Sequence, residues 1–273
     1  MSEVLQRASA RFDAFVRGSG GCNLEISTKI DGQRRHRHRT NAWFKRERGE
    51  RITAALALLA DIAADAGLPF DVAWAREVAD SVDLTAAKAV VVGVDFREDF
   101  ARSRLKLAFS FVDAPRAVST ALALGPVDPA VADAVQAHRL LFGVAIDGRG
   151  RRHVKLYPSF HLDGDDARRF DGYAATHLGP EVVALAGQCR RLFVTEGAPH
   201  EGAPLVVHFR PRDLDAFVEQ GPFAATGARD EARRLRHDGL RPLVVSAALR
   251  ELRAQRVRTC NLYAFEDPAA RPR

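Results

Sequence analysis

The chain has 273 residues, of which 47% are hydrophobic, and its net charge is +6. This composition supplies enough apolar side chains for a sizeable core and excludes a wholly disordered chain. No apolar run is long enough to cross a membrane as a helix, and the N-terminal residues lack a signal-peptide pattern. The sequence therefore predicts a soluble, cytoplasmic protein.

The predicted elements alternate between helices and pairs of strands. In chain order they are helix Glu3–Val16, strands Cys22–Ile30 and His36–Phe44, helices Arg51–Ala66 and Val72–Ser81, and strands Ala89–Phe96 and Arg102–Val112. Next come helices Pro115–Leu124 and Pro129–Ala137, strands Arg139–Ile146 and His153–Phe160, and helices Asp165–Thr176 and Pro180–Gly187. The last are strands Cys189–Thr195 and Leu205–Arg210, helices Arg212–Glu219 and Ala228–His237, strand Leu243–Ala247, helix Leu249–Gln255 and strand Val257–Phe265. We expect one domain over residues 1–273, with 268–273 as a flexible tail.

Five of these strands carry polar or charged residues at every second position. The alternating sets are Asn23, Glu25, Ser27 and Lys29; Arg104 and Lys106; His153, Lys155 and Tyr157; His208 and Arg210; and Asn261 and Tyr263. Since side chains alternate between the two faces of a strand, each strand has one apolar and one polar face. Such a strand usually belongs to a half-buried sheet whose polar face meets bulk water. The other interpretation is a barrel with a polar lumen.

The pairing of strands favours the barrel. Antiparallel pairs joined by helices can close into an α+β barrel of about ten strands, with a ring of helices outside. Ten strands enclose a solvent-filled lumen that is wide enough for a ligand. The competing doubly wound α/β fold needs single strands between helices, and its strands are apolar on both faces.

The polar faces of a barrel would bring cations, aromatic rings and one carboxylate together. They carry Arg39, Arg104, Lys106, Lys155, His208 and Arg210, with Tyr157, Tyr263 and Trp43. Clustered cations repel one another, and a diphosphate would relieve that repulsion and accept their hydrogen bonds. Aromatic faces stabilise a carbocation, and the Glu25 carboxylate can accept a proton from a nucleophile.

Each of these roles has a structural alternative. Glu25 can pair with Lys29 or with a neighbouring arginine instead of acting as a base. Arg104 and Lys106 can lie on a face that water covers. Tyr157 and Tyr263 can be core residues with a satisfied hydroxyl group.

Other patterns indicate less specific properties. Cys22, Cys189 and Cys260 have no metal-ligand spacing, and we expect them to be buried as small apolar residues. The segment Asp163-Gly164-Asp165-Asp166 is more typical of a helix N-cap than of a metal site. Basic clusters such as Gln33–Arg39 leave a nucleic-acid-binding protein as an alternative, with Arg35, Arg37 and Arg48 on one exposed stripe.

Five motifs occur in an order and spacing typical of one family. They are Gly21–Ile30, similar to G-x-C-x-L-E-x-x-x-K-I; Gly93-Val94-Asp95-Phe96-Arg97 with Ser103–Lys106, similar to G-I-D-L-R and S-x-L-K; Leu141-Phe142-Gly143 with Asp147-Gly148-Arg149 and Tyr157; Arg191-Leu192-Phe193 with His208; and Asn261-Leu262-Tyr263. Over residues 19–265 the chain thus resembles the cyanobactin-type peptide prenyltransferases of the ABBA-barrel (PT-barrel) superfamily.

The resemblance implies transfer of a dimethylallyl or geranyl group from its diphosphate to a side chain of a ribosomally made (RiPP), often macrocyclic, peptide. It also implies Mg²⁺ bound mainly through the diphosphate. Glu25 takes the position of the catalytic base, and Arg39 and Lys106 take diphosphate-binding positions, which we extend to Arg104, Lys155, His208 and Arg210. Tyr157 and Tyr263 shield the cation, and Phe193, His208 and Trp43 line the pocket.

Two features depart from the family pattern. Lys155 stands where relatives have an acid, and the first hairpin is unusually rich in arginine. These departures leave the identity of the acceptor open. The alternative reaction on the same fold is prenylation of a free aromatic small molecule.

Overall fold

The fold is a closed barrel of antiparallel strands. A computed structural model describes residues 3–19, 22–32, 34–45, 48–82, 84–97, 99–112, 115–124, 127–134, 139–163, 166–196 and 205–266. Within these residues, the strands are β1 Asn23–Asp31, β2 Arg34–Phe44, β3 Ala87–Asp95, β4 Arg104–Val112, β5 Arg139–Asp147, β6 Arg152–His161, β7 Cys189–Glu196, β8 Leu205–Pro211, β9 Leu240–Ala248 and β10 Thr259–Glu266. Their order around the barrel is β1-β10-β9-β8-β7-β6-β5-β4-β3-β2. This topology confirms the predicted α+β barrel and excludes the doubly wound alternative.

Helices separate the strand pairs. They are α1 Glu3–Gly18, α2 Arg48–Ala66, α3 Val72–Ser81, α4 Pro115–Leu124, α5 Pro129–Ala134, α6 Asp166–His177, α7 Pro180–Ala186, α8 Leu214–Glu219, α9 Ala228–His237 and α10 Leu249–Arg253, with short 3-10 helices at Phe100–Arg102 and Gly221–Thr226. Among the described helices, none has both the length and the apolar composition that spanning a membrane requires.

By its internal contacts the chain divides into two compact units. Unit 1 comprises Met1–Glu25, His38–Pro126 and Leu141–Lys155, and unit 2 comprises Ile26–Arg37, Val127–Leu140 and Leu156–Arg273. The division passes through β1, β2, β5 and β6, so neighbouring residues of one strand can belong to different units.

In unit 1 the apolar faces of the strands pack on helices. Leu105, Leu107 and Phe109 are buried, and α2 contacts both β3 and β4. Arg104 and Lys106 alternate with these residues along β4 and are partly exposed. This alternation is the one that the sequence predicts: one face joins the core and the other carries the cations.

Unit 2 is built in the same way. Val207 and Phe209 of β8 are buried, and the Phe209 ring lies 5.3 Å from the Phe217 ring of α8. On β1, the Thr28 hydroxyl group donates a hydrogen bond of 2.9 Å to the buried carboxylate of Glu231 on α9. These contacts define the helix-facing side of β1 and β8, so His208, one residue from each of Val207 and Phe209, lies on the other face.

The largest differences from the predicted elements concern their ends. Strand β9 begins at Leu240, not Leu243, because Pro242 is accommodated where the pairing between β9 and β10 shifts register. Helix α8 begins at Leu214, since the Asp213 side chain caps it by accepting from the amides of Asp215 and Ala216. The three cysteines are buried, as expected.

Candidate functional site

Two rows of paired residues cross strands β2, β3 and β4 in unit 1. In the first row Asp95 pairs with Arg39 on one side and Arg104 on the other. In the second row Gly93 pairs with Asn41 and with Lys106. Residues directly opposite each other on neighbouring strands share a face. The register therefore brings three predicted cations onto one face, around an acid.

The carboxylate of Asp95 is the centre of this cation cluster. It is buried, with 2% of its surface exposed. Its Oδ2 atom lies 3.0 Å from Nη2 of Arg39 and 3.7 Å from Nζ of Lys106, and its Oδ1 atom lies 2.9 Å from Nε of Arg97. Burial alone would raise the pKa of Asp95, but Arg39, Lys106 and Arg97 outweigh burial and hold the pKa well below its usual range. Asp95 is thus an anion at neutral pH.

Lys106 is held among like charges. Its pKa is lowered from 10.5 to about 7, first by burial and then by the positive charges of Arg39, Arg104 and Lys155, whereas Asp95 acts in the opposite direction. The single negative charge of Asp95 does not neutralise the positive charges of Lys106 and of the three cations around it. The cluster consequently favours an additional anion, which would raise the pKa of Lys106 again.

Glu25 lies on β1 in the same unit and is also buried. The Asn41 Nδ2 atom donates a hydrogen bond of 2.6 Å to its Oε1 atom. Burial raises the pKa of Glu25, although the hydrogen bond from Asn41, the neighbouring Trp43 side chain and the charges of Lys106 and Arg39 each oppose that rise. A buried carboxylate with a raised pKa suits general-base catalysis.

In unit 2, three aromatic rings surround the buried imidazole of His208. The ring centroid of His208 lies 5.9 Å from that of Tyr157, 5.6 Å from that of Tyr263 and 6.5 Å from that of Phe193. Phe193 pairs directly with His208 across β7 and β8, and His208 pairs with Ser246 across β8 and β9. The cluster offers ring faces and edges to an apolar or cationic group.

A family model described as "Family of unknown function (DUF5838)" matches residues 10–266. The chain belongs to this family. The matched range contains every predicted site residue in both units. No curated protein matches the chain.

The structure distributes the predicted site residues of this DUF5838 member between two groups. Unit 1 contains Glu25, Arg39, Trp43, Arg104, Lys106 and Lys155. Each of these residues interacts with at least one of Asp95, Glu25 and Lys106. Unit 2 contains Tyr157, Phe193, His208, Tyr263 and Arg210; the first four form the aromatic cluster. Arg210 lies two residues along β8 from His208.

Four residues of unit 1 complete the site although the sequence assigned them no role. They are Asn41, Gly93, Asp95 and Arg97. Three of them belong to the motif Gly93-Val94-Asp95-Phe96-Arg97, so the motif itself was the available signal. Asn41 continues the alternation of Arg39 and Trp43 along β2, which places it on their face.

The structure also locates the other polar candidates. Among the described residues, no group of three or more His, Cys, Asp or Glu side chains could hold a metal ion. Asp163 forms an ion pair with Arg212, and Asp166 Oδ2 accepts a 3.2 Å hydrogen bond from the His161 amide; Gly164 and Asp165 lie outside the described residues.

The arginine stripe of the nucleic-acid alternative is only partly described. Arg35 donates a hydrogen bond of 2.7 Å to the Gly32 carbonyl oxygen. The side chains of Arg37 and Arg48 lie outside the described residues.

Proposed function

We propose that this protein is a prenyltransferase that moves a dimethylallyl or geranyl group from its diphosphate to a side chain of a ribosomally made peptide. The observation that carries the proposal is the buried Glu25 carboxylate, whose pKa is raised and which lies beside the cations Arg39 and Lys106 in unit 1. A base and a diphosphate-binding group are the two elements that this reaction needs from the protein.

The cation cluster of unit 1 supports the role in diphosphate binding. It holds Arg39, Arg97, Arg104, Lys106 and Lys155, with Asp95 as the acid at its centre. When the allylic C–O bond breaks, its electron pair leaves with the diphosphate. Fixed cations stabilise that developing charge because they are already oriented before the bond breaks. Arginine and lysine also make short, charge-assisted hydrogen bonds to phosphate oxygens.

Glu25 supports the second half of the reaction. The acceptor atom forms a bond to the allylic carbon, and the proton that it loses passes to a Glu25 oxygen. The Asn41 amide holds Oε1 of that carboxylate at 2.6 Å. A carboxylate with a raised pKa is a stronger base than an exposed one.

The aromatic residues of unit 2 are assigned to the prenyl group by this proposal. Tyr157, Phe193 and Tyr263 present their rings around His208. The quadrupole of an aromatic ring attracts a cation to its face, and the ring surface accommodates an apolar chain. The resemblance to peptide prenyltransferases is the further support for this role.

Mg²⁺ would be bound mainly through diphosphate oxygens. Two buried carboxylates among the proposed site residues of unit 1, Glu25 and Asp95, already accept contacts from the protein: Glu25 from Asn41, and Asp95 from Arg39 and Arg97. When bound, the ion supplies positive charge to the leaving diphosphate. Arg39, Arg97, Arg104, Lys106 and Lys155 bind and orient the same group.

The proposal is tested by incubating the protein with dimethylallyl or geranyl diphosphate, Mg²⁺ and short peptides that each offer Trp, Tyr, Arg or His. We expect one peptide class to gain the mass of one prenyl unit. A phenol and an indole serve as small-molecule acceptors in parallel. Transfer to these alone would favour the small-molecule reaction, and the absence of transfer to any acceptor would contradict prenyl transfer.

A further inference from the structure

A group of arginines in unit 2 gathers positive charge around Arg210. Arg210 lies on the same face of β8 as His208, and Arg191 is directly opposite it on β7. The guanidinium of Arg191 lies over the Phe193 ring, 5.5 Å from its centroid. Like charges directly opposite each other on neighbouring strands destabilise a sheet, so this pair carries an unfavourable interaction.

Two further arginines add to the same positive charge. Burial lowers the pKa of the Arg210 guanidinium, and the charges of Arg241 and Arg190 lower it further. Arg190 and Arg241 are exposed. In the part of the chain that the structure describes, the side chains of Arg190, Arg210 and Arg241 form no ion pair or hydrogen bond.

Other arginines of the molecule show the contrast. Arg39 is paired with Asp95 in unit 1, and Arg234 is paired with Glu231 and Asp238 in unit 2. A half-buried arginine surrounded by cations is costly unless an anion binds to it. The Arg210 cluster, defined as Arg190, Arg210 and Arg241, is therefore suited to binding an anion.

We propose that the Arg210 cluster binds a carboxylate of the peptide acceptor. The planar guanidinium matches a carboxylate with two parallel hydrogen bonds. Arg210 and His208 are two residues apart on one strand face, which corresponds to about 7 Å. A carboxylate held by Arg210 would thus belong to a residue close to the side chain that reaches the aromatic cluster.

The proposal rests on the prenyl transfer proposed above for the identity of the acceptor. It assigns Arg210 to the acceptor and not to the donor diphosphate, because unit 1 has its own cations for that group. Exposed Arg190 and Arg241 are also accessible to a macromolecular ligand, as recognition of a peptide requires. The acceptors favoured are peptides with Asp, Glu or a C-terminal carboxylate near the modified residue.

Equilibrium binding tests this site without any need for turnover. Three fluorescent peptides share one tyrosine-containing sequence: one has a neighbouring glutamate, one has glutamine there, and one has glutamine and a free C-terminal carboxylate. The first two are amidated at the C-terminus. We expect the wild-type protein to bind the glutamate peptide, the free-carboxylate peptide or both about tenfold more tightly than the neutral one. The comparison distinguishes side-chain from terminal carboxylates.

Arg210→Gln should lose this preference, whereas Arg168→Gln should keep it. Arg168 is an exposed arginine on α6, so the control removes the same charge from the same unit. Affinity for inorganic pyrophosphate should stay within about twofold in Arg210→Gln. Because the variant removes like-charge repulsion, its Tm should not fall. Arg190→Gln and Arg241→Gln, both at exposed positions, should each weaken the preference as well.

Several results would overturn the proposal. They are the absence of a preference in the wild-type protein, a preference that survives Arg210→Gln, and a loss of pyrophosphate affinity in place of peptide affinity. Tighter binding of an oligoribonucleotide than of any peptide, lost in Arg210→Gln, would also overturn it. If the carboxylate preference is present but no peptide is prenylated, the anion site stands and the proposed reaction fails.

Discussion

Gly93 lies directly opposite Asn41, and a Cβ atom at residue 93 would lie 2.1 Å from the Oδ1 atom of Asn41. The Asn41 amide group occupies the space that a side chain at residue 93 would need. In that position its Nδ2 atom donates to Glu25. The orientation of Glu25, the proposed base on β1, thus depends on Gly93 of β3.

Gly93→Ala tests this dependence. The added methyl group would displace the Asn41 amide, and we expect prenyl transfer to fall at least tenfold. Gly143→Ala is the matched control, since a Cβ atom there would lie 3.4 Å from the Cβ atom of Ala108, an ordinary contact distance. Transfer rates and Tm values are measured for both variants. Equal losses in the two would show that Gly93 has no special relation to the base.

Asn41→Ala should change the pH dependence of the reaction. The Asn41 hydrogen bond lowers the pKa of Glu25, so its removal raises that pKa further. The acid limb of the pH–rate profile should move to higher pH, and activity should recover as the pH rises. A ¹³C NMR titration of Glu25 measures the same shift without turnover. A uniform loss of activity at every pH, with an unmoved Glu25 titration, would mean that Asn41 only supports the fold.

The sequence predicted the faces of the strands better than it predicted the partners across them. Alternation placed Arg104 and Lys106 on one face because side chains alternate regardless of tertiary context. The position of Arg104 opposite Asp95 and the ion pair of Lys106 with Asp95 depend on the register between β3 and β4, which one strand's periodicity cannot give. Similarly, Glu25 could have paired with Lys29 by spacing alone, whereas its hydrogen-bond partner is Asn41, 16 residues away on β2.

Asp95→Asn should destabilise the protein and make its stability depend on an added anion. Removal of the charge leaves Arg39, Arg97 and Lys106 without their shared partner, at a cost of about 3 kcal/mol of unfolding free energy. The folded pKa of Asp95 lies below its ordinary value of 3.8, so this stability is present above that pH and is lost as the pH falls through the folded pKa.

Thermal unfolding at several pH values measures this difference. The gap between wild type and Asp95→Asn should close in acid, and inorganic pyrophosphate should raise the Tm of the variant more than that of the wild type. If pyrophosphate has no effect on either protein, the cation cluster does not bind diphosphate.

Lys106 should take up a proton when a diphosphate binds. Its pKa is lowered to about 7 in the folded protein, so at pH 8 it is mostly neutral, and the added negative charge raises its pKa. Calorimetry of pyrophosphate binding in two buffers of different ionisation enthalpy measures the uptake. Lys106→Met should reduce the uptake, and Lys88→Met, which changes an exposed lysine on β3, should not.

The stability of the protein should reflect the same titration. Between about pH 7 and pH 10.5 the unfolded chain binds more protons at Lys106 than the folded one does. Stability from this group therefore rises with pH over that window. Lys106→Met should stabilise the protein more at pH 6 than at pH 9, and an equal gain at both would contradict the lowered pKa.

The most direct test of prenyl transfer with Glu25 as the base compares the wild-type protein with Glu25→Gln. Gln keeps the shape and an oxygen that can accept from Asn41, but it cannot take the proton of the acceptor. With dimethylallyl or geranyl diphosphate and a responding peptide, transfer by the variant should fall at least about a hundredfold. Its affinity for pyrophosphate should stay within about twofold of the wild-type value. Full transfer activity in Glu25→Gln would contradict the role of Glu25 and the mechanism built on it.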